Sequence, residues 1–165
     1  MLRIVSALAL TTMMSIGAVA TPALADDHKT LVLLQDVPVL AEHHDPDFEV
    51  NATGAVLFFA ADVRSTKRKK IGELIGQITT FDVSVDGVDE EDRFRELVFN
   101  LKNGQIVALG ASSYATTIAP NFANSNAPVT IAIVGGTGDY AGARGTVTTK
   151  KRANGTYKHT LRFIE

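Results

Sequence analysis

Cysteine is absent from all 165 residues. That excludes disulfides, thiol nucleophiles and zinc–thiolate centres, so a folded form must be held by its core. A charge bias is missing too: 16 basic residues stand against 18 acidic ones, a net charge of −2. Composition therefore gives no reason to expect nucleic acid or an anionic membrane surface as a partner. The chain has no internal repeat and no low-complexity tract. No convincing amphipathic helical period runs through it either. There is one long apolar run, and it lies at the N-terminus.

That run follows Arg3, extends from Ile4 to about Val19 and is followed by Ala23-Leu24-Ala25. A basic start, an apolar stretch and a small-x-small triplet are the order of a secretory signal peptide. The expectation is cleavage after Ala25 and an exported product, extracellular or periplasmic. The alternative is an uncleaved membrane anchor, and the polar interruptions Ser6, Thr11, Thr12 and Ser15 count against it. Removing residues 1–25 leaves 140 residues with no membrane span, enough for one domain (26–165) with a real core.

What fills those residues is β-pattern. Alternating or β-branched runs occur at Lys29–Leu34, Gly54–Val63, Lys70–Val85, Phe94–Leu101, Gln105–Ser113, Val129–Val134, Ala143–Lys150 and Thr156–Ile164. Asn103-Gly104 and Asn154-Gly155 separate two adjacent pairs, and Asn-Gly is a strong short-range hairpin signal. Glu90–Glu96 reads as a solvated connection with at most a turn of helix. Gly54–Val63 carries apolar residues on both faces and is expected to be buried on both. Eight strands at short spacing predict an all-β fold, an antiparallel sandwich or closed barrel. Closure removes exposed edges and encloses room for side chains or one small ligand.

The segment AIVGGTGDYAGARGTVTT, Ala132–Thr149, holds Gly136-x-Gly138-x-x-Ala141 after an apolar run, the outline of a dinucleotide fingerprint. The fingerprint needs a helix after the glycines and an acidic residue further on. Here Gly145-Thr-Val-Thr-Thr149 follows, a poor helix and a good strand. The glycines are assigned instead to a tight turn between strands.

The same segment, Val134-Gly-Gly-Thr-Gly through Ala143-Arg-Gly145, resembles the glycine signature of dirigent proteins and of allene oxide cyclases. Leu31–Asp36, Ile71–Gln77 and the Phe94–Gly110 hairpin are similar to further strands of those families. The resemblance covers most of residues 30–165. It implies an eight-stranded antiparallel barrel, often a homotrimer, and no cofactor. It also implies a lumen that binds a small hydrophobic molecule and guides its cyclisation or coupling. Asp36 aligns with the acid that dirigent proteins place at the end of their first strand. In an apolar barrel mouth it would serve as a proton donor; the other reading is a turn acid before Val37-Pro38. The Glu and Asn of allene oxide cyclases have no counterpart: Gln35 and Asp36 stand at that strand, and cysteine is missing.

Arg144 is a candidate for orienting an anionic or phenolic oxygen if it points inward, and a surface arginine if not. Gln35, Tyr114 and Tyr140 are candidate ligand-binding groups; each tyrosine also reads as a partly buried aromatic with a wet hydroxyl. His43-His44, flanked by Glu42 and Asp45, has metal-ligand residue types but no ligand spacing, and is taken as a solvated loop. The basic run Arg64–Lys70 and the acidic run Asp86–Asp92 are expected at opposite ends of the barrel. Two other readings share the fold: a non-catalytic envelope module and a lipocalin-like carrier. What separates them from a cyclase is whether the lumen is open or filled by Phe58, Phe59, Phe81 and Phe99.

Overall fold

A computed structural model describes residues 29–41, 53–81, 90–115 and 127–164, with backbone alone at 90, 91 and 113–115. The proposed signal segment, the His43-His44 loop and the Tyr114 side chain lie outside the described residues. The strands are β1 (Lys29–Gln35), β2 (Val39–Leu40), β3 (Val56–Arg64), β4 (Lys70–Phe81) and β5 (Glu90–Leu101). They continue with β6 (Gly104–Ala115), β7 (Val129–Gly136), β8 (Gly145–Lys151) and β9 (Tyr157–Phe163). The order β1-β9-β8-β7-β6-β5-β4-β3 is antiparallel throughout, and β3 pairs back to β1 through Leu34↔Arg64 and Gln35↔Val63. Eight strands therefore close a barrel, and the two-residue β2 adds to the outside edge of β3. The described residues contain no helix long and apolar enough to cross a membrane.

Period-2 alternation decides what faces the lumen. Leu33, Val63, Leu74, Phe99, Ile106, Val147 and Leu161 come from seven strands and are fully buried in one cluster. Each contributes about 1.5–3 kcal/mol of transfer free energy, which is how a cysteine-free chain can hold itself together. Expectation and structure part in three places. The Glu90–Glu96 stretch is strand, because it pairs along its length with β6 and, from Asp92 on, with β4 as well. Its charges mislead, since Arg93 turns inward and is buried while Glu96 turns out. The strand at 54–63 is buried on one face: Phe58 is 51% exposed, whereas Leu57, Ala61 and Val63 are buried. Finally, the short β2 leaves no mark in the sequence pattern.

The glycine segment is a strand–turn–strand at one end of the barrel. Thr137 N–H donates to Gln105 O, and Asp139 N–H donates to Asn103 O. The loop thus docks on the β5–β6 hairpin. Gly138 has φ +59°, and a Cβ there would meet the Asn103 carbonyl. Glycine is required by that close approach between two turns. Gly145, at φ +142°, is pressed in the same way against the Arg162 carbonyl.

Candidate functional site

The two ends of the barrel differ. At the end just described, the described lumen is filled with aliphatic side chains. At the other, where β1, β4, β6 and β8 finish, the inward face turns polar. Gln35, Thr80, Arg93, Thr149 and His159 are all less than 9% exposed there. The strand register explains how they meet. Thr149 is the cross-strand partner of His159 on β9, and Gln35 on β1 pairs with Tyr157, two residues from His159. Opposite and diagonal neighbours on one face are within side-chain reach.

His159 is the hub. Its Nε2 lies 2.8 Å from Gln35 Oε1 and its Nδ1 lies 2.9 Å from Thr149 Oγ1. As the Gln35 amide is oriented, Nε2 donates to Oε1, and the Thr149 hydroxyl donates to Nδ1. Phe99 closes the ring from below, edge to face at 5.1 Å. Burial pushes the imidazole pKa down to about 3, and the nearby Arg95 charge pushes the same way. His159 is therefore a neutral, fully bonded strut at ordinary pH and no acid or base.

Above this chain is a pocket. It is lined by the apolar Pro38, Phe59, Ile78 and Leu97 and by the polar Gln35, Arg95, Thr149, Tyr157 and His159, with Arg95 cross-strand from Ile78. Its cavity volume is only about 30 Å³. That is room for roughly two or three waters. Of the four phenylalanines that could fill the lumen, Phe59 lines the pocket and Phe99 is buried in the core, while Phe58 and Phe81 are half exposed. Burial lowers the Arg95 pKa to about 10, with Tyr157 opposing and Arg93 adding to the shift, so the guanidinium stays charged near neutrality. Burial raises the Tyr157 pKa against the pull of Arg95, so the phenol keeps its proton and can donate it in a hydrogen bond. On β6, the Oγ of Ser112, cross-strand from Arg93, has no hydrogen-bond partner among the described residues.

The expected site residues scatter. Gln35 lines the pocket. Asp36, next along, turns to the outside, where its carboxylate accepts from Arg64 Nε at 2.8 Å and is 41% exposed. The apolar setting expected to favour its protonated form is replaced by an ion pair. Arg64 also reaches Asp62, and Lys70 bonds Asp62 and Glu73, so the basic run is partly neutralised by its own neighbours. Arg144 donates to Val134 O at 3.1 Å on the outer surface, at the glycine-turn end. Tyr140 is at that end as well, beside Leu31 and Phe163, with its pKa raised by burial. Neither approaches the pocket. The pocket residues that sequence reasoning missed are Arg95, Thr149, Tyr157 and His159. The signal was parity: counting back by twos from Leu161 reaches His159 and Tyr157, and from Leu97 reaches Arg95.

No protein-family model and no curated protein matches the chain. Solved structures do. A pyocyanin demethylase overlays with a TM-score of 0.60 at 25% identity, covering 82% of this chain and 100% of that one. AbnU, an exo-specific intermolecular Diels-Alderase, overlays with a TM-score of 0.59 at 16% identity, over 82% and 97%. The pterocarpan synthase dirigent protein GePTS1 overlays with a TM-score of 0.54 at 17% identity, over 93% and 98%. By fold, the chain is an eight-stranded barrel of the dirigent and cyclase type.

Proposed function

We propose that the polar end of the lumen binds a small, largely apolar molecule and guides a ring closure or coupling by holding it in one conformation. The observation that carries this is the buried Gln35–His159–Thr149 chain beneath a pocket lined by both apolar and polar side chains. A barrel needs only apolar filling to be stable; a fully satisfied polar network beside Arg95 and Tyr157 is the arrangement of a binding site. Fixing a flexible substrate removes entropy from the barrier, and two donors aimed at one oxygen stabilise charge that develops there. The similar structures, a Diels-Alderase and a dirigent protein among them, support that class of chemistry. Arg95 and Tyr157 take the role first sought in Asp36 and Arg144.

The resting pocket is too narrow for such a molecule, since ligand sites usually measure about 300–1,000 Å³. Binding therefore requires side chains to move. Phe59, whose ring lies over Gly76 at the pocket wall, is the one placed to do so. The same narrowness favours a second reading, a non-catalytic barrel whose lumen never opens. The neutral dye N-phenyl-1-naphthylamine separates the two. Its fluorescence should rise on binding the wild type and fail to rise with Ile78→Trp, which fills the pocket; equal response from both proteins would sink the lumen reading.

The proposal extends to setting. Residues 1–25 direct export, and the outer apolar face bearing Phe58, Ile75 and Phe94, each more than a third exposed, pairs copies of the chain into an oligomer.

A further inference from the structure

Charge is segregated around the barrel wall. The neighbouring strands β7, β8, β9 and β1 contain lysines and an arginine but no aspartate or glutamate. The acidic residues of the described strands lie on β3, β4 and β5. On the outer face, strand register sets cations in a row. Lys150 stands opposite Lys158, Lys158 opposite Leu34, Leu34 opposite Arg64, and Arg64 opposite Lys70. The buried Thr149, His159, Gln35 and Val63, each one residue along, fix the outward direction of Lys150, Lys158, Leu34 and Arg64. Arg64 and Lys70 are matched by Asp36, Asp62 and Glu73. Lys150 and Lys158 face each other on strands that hold no carboxylate.

Like charges directly opposite on antiparallel strands repel and lower stability. Departures of that kind are kept where a site uses them. Beside the row, an open groove of about 350 Å³ lies between the β3–β4 and β8–β9 turns, with Arg64, Arg68 and Arg152 around Asp36. Both turns are held by their own bonds: Arg68 N–H donates to Ser65 O, and Gly155 N–H donates to Arg152 O. The guanidinium fork suits the paired oxygens of a carboxylate or a sulfate. The next outward register below the lysines holds Thr130, Thr148 and Thr160 in line, so hydroxyls run alongside the cations.

A partner for this face carries repeated anionic groups and many hydroxyls. A membrane surface would call for exposed apolar side chains to insert, and none of the large exposed apolar residues lies on β1, β8 or β9. A nucleic acid would call for aromatic rings to stack its bases, and none points outward from these strands. We propose that the outer face of β8, β9 and β1 binds a linear acidic polysaccharide, with its anionic groups on the Lys150–Lys158 row and in the arginine groove and its hydroxyls along the threonines. This surface is independent of what the lumen holds.

The probe is polygalacturonate, titrated into the full chain by calorimetry, with its position read from backbone amide shifts. Shifts are expected at Thr148, Lys150, Arg152, Lys158 and Thr160. Lys150→Gln combined with Lys158→Gln should weaken binding about tenfold. Lys29→Gln combined with Lys102→Gln removes the same charge from exposed positions at the glycine-turn end and should weaken it about twofold at most. Circular dichroism identifies any variant that has lost its fold, and the wild-type shifts are decisive without them. Equal losses in the two double variants would overturn the proposal, since net charge alone would then explain the attraction. So would shifts confined to other strands, or no binding at all. Tighter binding of oligothymidylate or of phosphatidylglycerol vesicles to the same face would also overturn it and assign the surface to nucleic acid or membrane.

Discussion

Acidification should destabilise this barrel through one buried side chain in particular. In the folded protein the His159 imidazole stays neutral down to about pH 3, because burial opposes its charge and Arg95 adds to the opposition. In the unfolded chain its pKa returns to about 6.5. The folded value is the depressed one, so below pH 6.5 the unfolded state takes up a proton that the native state refuses. Stability is then lost as pH falls from about 6.5 to about 3, and the loss levels off below that. At 1.36 kcal/mol per pH unit, a fall from pH 7 to 4.5 removes about 2.5 kcal/mol through this group alone. That is a large share of the roughly 5–15 kcal/mol that a domain possesses. Urea denaturation at the two pH values measures the loss. Carboxylate ion pairs also titrate in that range, so the comparison is made against His159→Gln, which keeps hydrogen-bonding capacity and removes the titration. The wild type should lose about 2.5 kcal/mol more than the variant over the interval. Direct observation by NMR should find the His159 ring signals unmoved from pH 8 to 4.5. A ring that titrates above pH 5 would refute the reasoning, because the buried neutral strut would then be a solvated base.

Other consequences are read with simpler measurements. Thr149→Val leaves the Nδ1 acceptor of His159 buried without a donor and should cost about 1–3 kcal/mol in urea. Gly145→Ala forces a Cβ against the Arg162 carbonyl at φ +142° and should cost roughly 1–3 kcal/mol or more by the same assay. Asp36→Asn breaks only a half-exposed ion pair with Arg64; it should leave dye binding in the lumen unchanged, and a tenfold loss would restore Asp36 as a site residue. Ile75→Lys, placed on the apolar outer face, should lower the mass seen by light scattering from oligomer to monomer; an unchanged mass would remove that face from any assembly.

The barrel was legible because its signals are local. Two Asn-Gly turns, eight runs of β-pattern and a glycine segment unable to continue as helix each point to antiparallel neighbours. Closure adds little beyond them: the β1–β3 pairing joins the ends of a sheet already in order. The site was less legible, because it depends on which face each residue takes once strands are in register. Gln35 and Asp36 are adjacent, and one lies in the lumen while the other pairs with Arg64 outside. An arginine in Asp-Arg-Phe-Arg-Glu looks like surface until parity with Leu97 and Phe99 carries it inward. A histidine 124 residues from its glutamine partner leaves no local trace at all. The glycine segment, the most recognisable stretch in the sequence, turned out to hold the end of the barrel away from the pocket.

Native mass spectrometry of protein purified from its own host tests the central claim most directly. The account predicts a bound molecule of low mass that is present on the wild type and missing from Ile78→Trp purified in parallel. A wild type that arrives bare, or an adduct that persists undiminished on the Ile78→Trp variant, whose lumen the indole fills, would contradict it.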